Sequence, residues 1–508
     1  MTELRNTEKK ADLRLYTAAA CRAVDAQAMA PQSSGGMGLR GAELMRRAAQ
    51  FALDTVISLR PGVAGISVVC GKGNNSGDGY WLAFLAHRLG IAVQLVGMTP
   101  KEQLSGDALD AREQAEAAGL GVEGPEAELR YPVIVDALLG IGGQGEPRSA
   151  YAKVIQDINR AKAFVLSLDL PSGLNADTGE AGLAVQAGAT VSFIVRNIGL
   201  YTGQGPKLCG QRFFSDLGVP TTFAEAHPDV PLRFWRPTLL EQLPVDAYKH
   251  QRGHVVIVGG CKGMGGAVIL AAEAALRSGA GLVTVATDPC NLPGLQARVP
   301  EAMWVDPVAQ SSDQTLRQVL ARADVVILGP GLGRSAWAEA VLENLVDYPD
   351  TLLVDADGLY WLGQLQQRSR QIAGGGQLYL TPHGGEAAGL LDCSVQQVSS
   401  DRLAALSAMT ARYNALGLIK GPGTVMGDGR EQGICGHGNP GMATAGMGDV
   451  LAGLAGSLMA QHPADQRAAF FAAVLLHSAA GDVAAEELGM RPLTASAVID
   501  RIGQLLKA

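Results

Sequence analysis

ISVVCGKGNNSGDGYWLAFLAHRL, residues 66–89, reads as a short buried strand (Ile66–Cys70), a glycine-rich loop (71–79) and a helix patterned from Tyr80 to Leu89. A strand that runs through glycines into a helix leaves the first N–H groups of that helix free to face an anion. GKGNNSGDG does not have the GxGxxG spacing of the dinucleotide fingerprint, and Asn74, Asn75 and Asp78 add side-chain oxygens beside the loop. The same residues also make ordinary turns. Outward from this unit the pattern repeats: strand 91–97, helix 107–118, strand 133–140 (VIVDALLG), helix 151–160, strand 164–173 (FVLSLDLPSG) and strand 190–195. Apolar residues at helical spacing between Thr17 and Leu59, broken over 31–41, predict two helices before it. Strands alternating with helices predict a parallel sheet, whose ligands bind beyond the carboxyl ends of the strands. Asp136 and Asp169 stand at two such ends, where either could instead cap a turn.

Residues 220–237, PTTFAEAHPDVPLRFWRP, carry four prolines and little periodicity, which predicts an extended linker and domains over 1–225 and 226–508. After it, HVVIVGGCKGMGGAVILAAEAALRSGAGLVTVAT (254–287) opens a second α/β unit. Its glycine loops differ in spacing from the first, so two different domains are predicted rather than a repeat. GHGNPGMATAGMGDVLAGLAG (436–456) sets Gly446 and Gly448 beside Asp449 where an apolar helix begins. Free N–H groups can stabilise a phosphoryl group in flight while a carboxylate takes the proton of an attacking hydroxyl; the alternative is an aspartate N-cap. KGPGT (420–424) places a cation and a hydroxyl around glycines but is shorter than a P-loop, and Lys420 could be a solvated strand end. His383 in TPHGGE is either a ligand or a structural hydrogen-bond partner. Asp355 and Asp357 in VDADGL could be a carboxylate pair, but Asp357 is equally a helix N-cap.

Composition limits the class. The 508 residues are 47% hydrophobic, with 41 basic and 49 acidic side chains and a formal charge of −8, which predicts no nucleic-acid partner. Seven scattered cysteines without a CxxC pair predict reduced thiols and no zinc. The charged start and the absence of a long uninterrupted apolar run predict a cytoplasmic chain with no membrane partner.

CGKGNNSGDG, VDALLGIGGQGEPR and SLDLPSGLNADTG together resemble the NAD(P)H-hydrate epimerase family over about residues 15–220. The resemblance implies a Rossmann-like three-layer α/β/α fold. It also implies a hydrate site of Asn74, Asn75, Ser76, Gly77 and Asp78, then Gly140, Ile141, Gly142, Gly143, Gln144, Gly145 and Glu146, with Asp169. Asn75, Asp136 and Ser172 would hold potassium, with Asp136 handling protons. The family often has glycine where Ser76 stands, and an acid where Arg46 stands. GGCKGMGGA, GPGLG, VDADGL, TPHGGE, KGPGT and TAGMGDVLAG resemble the ADP-dependent NAD(P)H-hydrate dehydratases of the ribokinase-like superfamily. There Ala267, Gly331, Gly333, His383 and Asp449 would contact hydrate. Lys420, Gly421, Pro422, Gly423, Thr424 and Gly448 would hold the nucleotide.

The resemblance thus implies repair of hydrated NADH and NADPH by an isomerase and a lyase in one homo-oligomeric chain, with ADP as co-substrate and magnesium beside it. Asp449 is its expected base. The rival expectations are a ribokinase-like vitamin-precursor kinase and a first domain that only binds nucleotides.

Overall fold

A computed structural model describes residues 13–143, 145–239, 248–309, 316–367 and 376–507. They divide into two compact units, Arg14–Pro231 and the residues from Leu232 onward together with Leu13. The proline-rich stretch is not a bare tether: it forms a helical turn at Thr221–Ala224 and a strand at Asp229–Arg233.

The sheet of the first unit has seven strands: β1 (Gly65–Cys70), β2 (Ala92–Gly97), β3 (Val122–Glu123), β4 (Val133–Ala137), β5 (Phe164–Leu168), β6 (Ala189–Phe193) and β7 (Gln211–Ser215). Their order is β3-β2-β1-β4-β5-β6-β7 and every neighbouring pair is parallel. Around them lie α1 (Ala18–Met29), α2 (Gly41–Leu59), α3 (Asn74–Arg88), α4 (Gly106–Ala117) and α5 (Ser149–Arg160). β1 and β4 are buried at every residue. Strands covered on both faces have no polar side to show, which is why they read as largely apolar runs without strict alternation.

One boundary differs from expectation. α3 begins at Asn74, so NNSGDG is its first turns and not a loop before a helix at Tyr80. The glycines that suggested a turn are packing positions. A Cβ on Gly77 would lie 2.6 Å from Met45 Sδ, and one on Gly79 would lie 2.6 Å from Ala137 Cβ. Close packing on α2 and β4 overrides the low helix propensity of glycine.

The sheet of the second unit comprises β8 (His254–Val258), β9 (Leu282–Ala286), β10 (Met303–Val305), β11 (Val325–Leu328), β12 (Leu352–Val354), β13 (Leu378–Leu380), β14 (Ala415–Ile419), β15 (Val425–Gly427) and β16 (Gln432–Cys435). The order is β10-β9-β8-β11-β12-β13-β14-β15-β16, parallel as far as β14 and antiparallel after it. Its helices include α6 (Gly265–Arg277), α7 (Asp357–Gln367), α8 (Gly384–Leu391), α9 (Arg402–Tyr413), α10 (Met447–Gln461), α11 (Gln466–Leu488) and α12 (Ala495–Leu505). α10 packs so closely on α6 that a Cβ on Gly453 would overlap the Ala271 carbonyl.

The segment Pro463–Leu488 is long and apolar enough by length and composition to cross a membrane, although Gly481 and Asp482 interrupt its apolar run. Some 78% of its most apolar window is buried inside the unit, so its apolarity is that of a core helix. All seven cysteines are free, four of them buried, with Cys290 exposed.

Candidate active sites

In the first unit β4 delivers Asp136, fully buried, to its carboxyl end. Its carboxylate accepts hydrogen bonds from Ser172 Oγ (2.6 Å), Ser167 Oγ (2.8 Å), Ser172 N (2.9 Å) and Leu138 N (3.3 Å). Burial raises its pKa and those donors pull it back, with a net rise. Ser172 Oγ in turn accepts from Leu139 N at 2.9 Å. Asp136 thereby ties the segment after β4 to the segment after β5.

Asp169 follows β5 in a left-handed conformation (φ 65°), where a non-glycine residue is strained. It accepts from Ile141 N at 3.1 Å, and burial, with Asp25 adding to it, pushes its carboxyl up to about 7. A Cβ on Gly140 would lie 3.0 Å from Asp169 Oδ2 and 3.3 Å from Asn75 Cβ, so the three expected segments do meet. Asn75 buries both amide atoms with no partner among the described residues. Asp78 is held far above the usual carboxylate range by burial, then by Asp169 and Asp25.

Other expected residues face elsewhere. Ser76 is buried and donates to Gly73 O (2.6 Å), and Gly77 faces Met45 and Ala108. Asn74, Gly142, Gly143, Gly145 and Glu146 lie on the open side, with Glu146 reaching Gly182. Gln144 lies outside the described residues. The motifs missed Asp25, pushed up to about 6 by burial, and Asn197, whose Nδ2 lies 3.6 Å from Cys21 Sγ. An acid four residues after a buried cysteine on an alanine-rich helix was the available signal.

The second unit builds its site from adjacent parallel strands. β12, β13 and β14 are followed directly by Asp355, Thr381 and Lys420 respectively. Asp355, 1% exposed, accepts from Lys420 Nζ (2.7 Å) and Thr381 Oγ1 (2.9 Å). Lys420 also faces Glu386 at 3.9 Å. Burial works against its ammonium, but Asp355 and Glu386 more than offset it, and its pKa is raised. Lys420 is therefore an ion-paired side chain and not a solvated strand end.

α10 enters over this pair. A Cβ on Gly448 would lie 3.4 Å from Lys420 Nζ and 3.5 Å from Asp355 Oδ2. The N-cap is Gly446 at φ 86°, so Asp449 sits inside the first turn and does not cap it. Burial and the neighbouring Asp355 push the Asp449 carboxyl up to about 7, with Lys420 pulling the other way. Its carboxylate takes no hydrogen bond among the described residues.

Ala267, Gly331 and Gly333 come together: a Cβ on Gly331 would lie 3.2 Å from Ala267 Cβ, and one on Gly333 would lie 2.8 Å from Cys261 Sγ. Asp357 accepts from Gly333 N (3.0 Å) and Arg334 Nε (3.0 Å), so Asp355 and Asp357 serve different partners and are not a carboxylate pair. His383 is the N-cap of α8. Its Nδ1 accepts from Gly385 N (2.9 Å) and Glu386 N (3.2 Å), completing a capping box with Glu386; its Nε2 lies 3.3 Å from Glu386 Oε1, and the side chain is 59% exposed.

The family pattern for NAD(P)H-hydrate dehydratase matches residues 255–503, and the pattern described as the YjeF-related protein N-terminus matches residues 41–199. A bifunctional NAD(P)H-hydrate repair enzyme of Coxiella burnetii is 43% identical over 90% of this chain and 93% of its own. Proteins of the same name in Escherichia coli (36% identical; 92% of this chain, 90% of that one) and Leishmania major (36%; 98% and 94%) match equally end to end. This chain belongs to the family of bifunctional NAD(P)H-hydrate repair enzymes.

Proposed function

We propose that this protein restores NADH and NADPH from their hydrates in two steps: residues 1–225 interconvert the R and S hydrates, and residues 226–508 dehydrate the S form at the expense of ADP, releasing AMP and phosphate. The observation that carries the reading is Asp449, a carboxylate of raised pKa with no hydrogen bond among the described residues, beside the Lys420–Asp355 pair at the start of α10.

Hydroxide is a poor leaving group from carbon 6 of the nicotinamide ring, and phosphorylation makes it a good one. Asp449 takes the hydroxyl proton as the hydroxyl oxygen bonds to the terminal phosphorus of ADP and the bond to the AMP oxygen breaks. The N–H groups at the start of α10 and the Lys420 ammonium stabilise the charge on the phosphoryl oxygens. The ring-nitrogen lone pair then expels phosphate from carbon 6, and loss of a proton from carbon 5 restores the reduced ring. Lys420, Gly421, Pro422, Gly423, Thr424 and Gly448 hold the nucleotide. Ala267, Gly331, Gly333 and the exposed side chain of His383 receive the hydrate.

This geometry accepts one configuration at carbon 6, because the hydroxyl must face the phosphoryl donor. The first site supplies that configuration. Asp169, whose carboxyl is pushed up to about 7, and Asp78, held well above the usual carboxylate range, are the candidates for moving protons, and Asp136 fixes the two segments around them.

Potassium suits this site. Asn75, Asp136 and Ser172 offer only oxygens, as a hard cation prefers. The orphaned amide of Asn75 fits it, as do one buried acid (Asp136) and three half-buried ones (Asp25, Asp78 and Asp169), on none of which a basic side chain acts among the described residues. A bound cation would supply compensating charge. Among the described residues no group of three or more His, Cys, Asp or Glu side chains is set to hold a metal, so magnesium would arrive on the nucleotide phosphates.

The test is to mix the protein with each hydrate epimer of NADH, add ADP or ATP, and follow reduced-nicotinamide absorbance. Recovery of both epimers with ADP is expected. Recovery of one epimer only would remove the epimerase, and a stable phosphorylated product would replace the dehydratase with a kinase.

A further inference from the structure

Arg402 opens α9 directly behind its N-cap, Asp401. A cation in the first turn opposes the positive end of the helix dipole. Arginine is also almost never fully buried unless paired, yet Arg402 is only 7% exposed. Neither preference explains an arginine here, but its hydrogen bonds do. Nη1 donates to Pro422 O (2.6 Å) and Gly423 O (2.9 Å), and Nη2 donates to Ile419 O (2.7 Å). One guanidinium thus gathers three carbonyls of the turn between β14 and β15.

The rest of the turn completes the pattern. Thr424 Oγ1 donates to Gly421 O (3.1 Å) and Cys435 N to Thr424 O (2.9 Å), so every carbonyl from 421 to 424 is engaged within the protein. The N–H groups of Gly421 and Thr424 donate to nothing among the described residues. Carbonyls drawn inward and N–H groups left over make a donor face, the arrangement that receives anions. Gly421 has φ 145°, and a Cβ there would lie 3.1 Å from Arg402 Nη2, so the guanidinium also limits what the turn can carry.

We propose that Arg402 is a positioning residue for the nucleotide: from behind the turn 419–424 it holds the backbone in the conformation that offers its N–H groups to the phosphates. This rests on reading 420–424 as the nucleotide loop. Arg402 itself touches no substrate. Its planar fork matters as much as its charge, because an ammonium cannot reach three carbonyls with fixed geometry.

The experiment is steady-state dehydration kinetics, varying ADP and hydrate in turn, on the full chain and on Arg402→Lys, Arg402→Ala and Gly421→Ala, with thermal unfolding of each. Arg402→Lys is expected to raise the KM for ADP about tenfold, with the KM for hydrate and the epimerisation rate unchanged. Arg402→Ala is expected to raise it further, and millimolar guanidinium to bring it partly back. A KM for ADP within about twofold of wild type in a folded Arg402→Lys protein would overturn the proposal. So would equal losses for ADP and hydrate with no guanidinium rescue, the signature of a merely structural arginine. Gly421→Ala separates the two levels. If it leaves the KM for ADP untouched, the nucleotide is not at this turn and the reading beneath fails; if it raises that KM while Arg402→Lys does not, only the role of Arg402 fails.

Discussion

The two sites use carboxylates in opposite ways. In the first unit Asp136 accepts four hydrogen bonds, Asp169 one, and acids face acids with no basic side chain among the described residues acting on them. In the second, Asp355 is committed to Lys420, and Asp449 beside them has no hydrogen bond among the described residues. A site that moves phosphate needs a fixed cation to hold anionic oxygens and one base free to move a proton. A site that inverts a hydroxyl-bearing carbon needs acids that still hold protons at neutral pH, which burial among other acids provides.

The largest expected effect breaks one side of this contrast. Asp449→Asn should lower dehydration about 10³-fold, within the range for loss of a general base, while epimerisation is untouched; loss of both activities would show that the two sites are not independent. In the wild type the dehydration rate should fall as pH drops through about 7, because the carboxylate must be ionised to accept a proton. Next, Lys420→Met should cost dehydration about 10²-fold through weaker charge stabilisation. It should also move that pH profile upward, since Lys420 holds the Asp449 pKa down; an unmoved profile would separate Lys420 from the base.

Two changes sharpen the other side. Asp169→Asn should cost epimerisation about 10²-fold yet stabilise the fold. Its folded pKa is raised to about 7, so the stability it contributes is complete below the unfolded value and is lost as pH rises through 7. The asparagine variant should therefore gain stability relative to wild type as pH rises from about 4 to about 7, by about 4 kcal/mol at the upper end, read as an increase in Tm. Asp136→Asn should instead destabilise by about 2 kcal/mol at every pH near neutrality, because an amide nitrogen would face donors. Equal Tm values for these two variants would erase the distinction between a proton carrier and a structural knot.

The smallest effect concerns His383. Asparagine is a good N-cap, so His383→Asn should change stability by only about 0.5 kcal/mol. A raised KM for hydrate in that variant would mean that the exposed side chain also touches substrate.

Much of the fold is legible in the residues alone. Largely apolar runs at 66–70, 133–137, 254–258 and 325–328 announce parallel strands, and acids or lysines at or directly behind strand ends announce sheet-edge sites. The glycines are less legible. Gly77, Gly79 and Gly453 look like the glycines of loops but permit close packing between elements, and a contact partner distant in sequence leaves no local signal.

By itself the sequence determined the two α/β units, the strand ends that carry chemistry and the candidate base, because periodicity and the residue after a strand are local properties. Tertiary structure alone decided which polar residues are bound to one another. Asp355 found Lys420 rather than Asp357, His383 became a cap, Asp136 became a knot between two segments, and Arg402, outside every motif, came to lie behind the turn at 419–424. Apart from the His383 cap, which is local to 383–386, those assignments depend on contacts between residues 17 to 65 positions apart and on the loss of water around them, and both exist only once the sheets have formed.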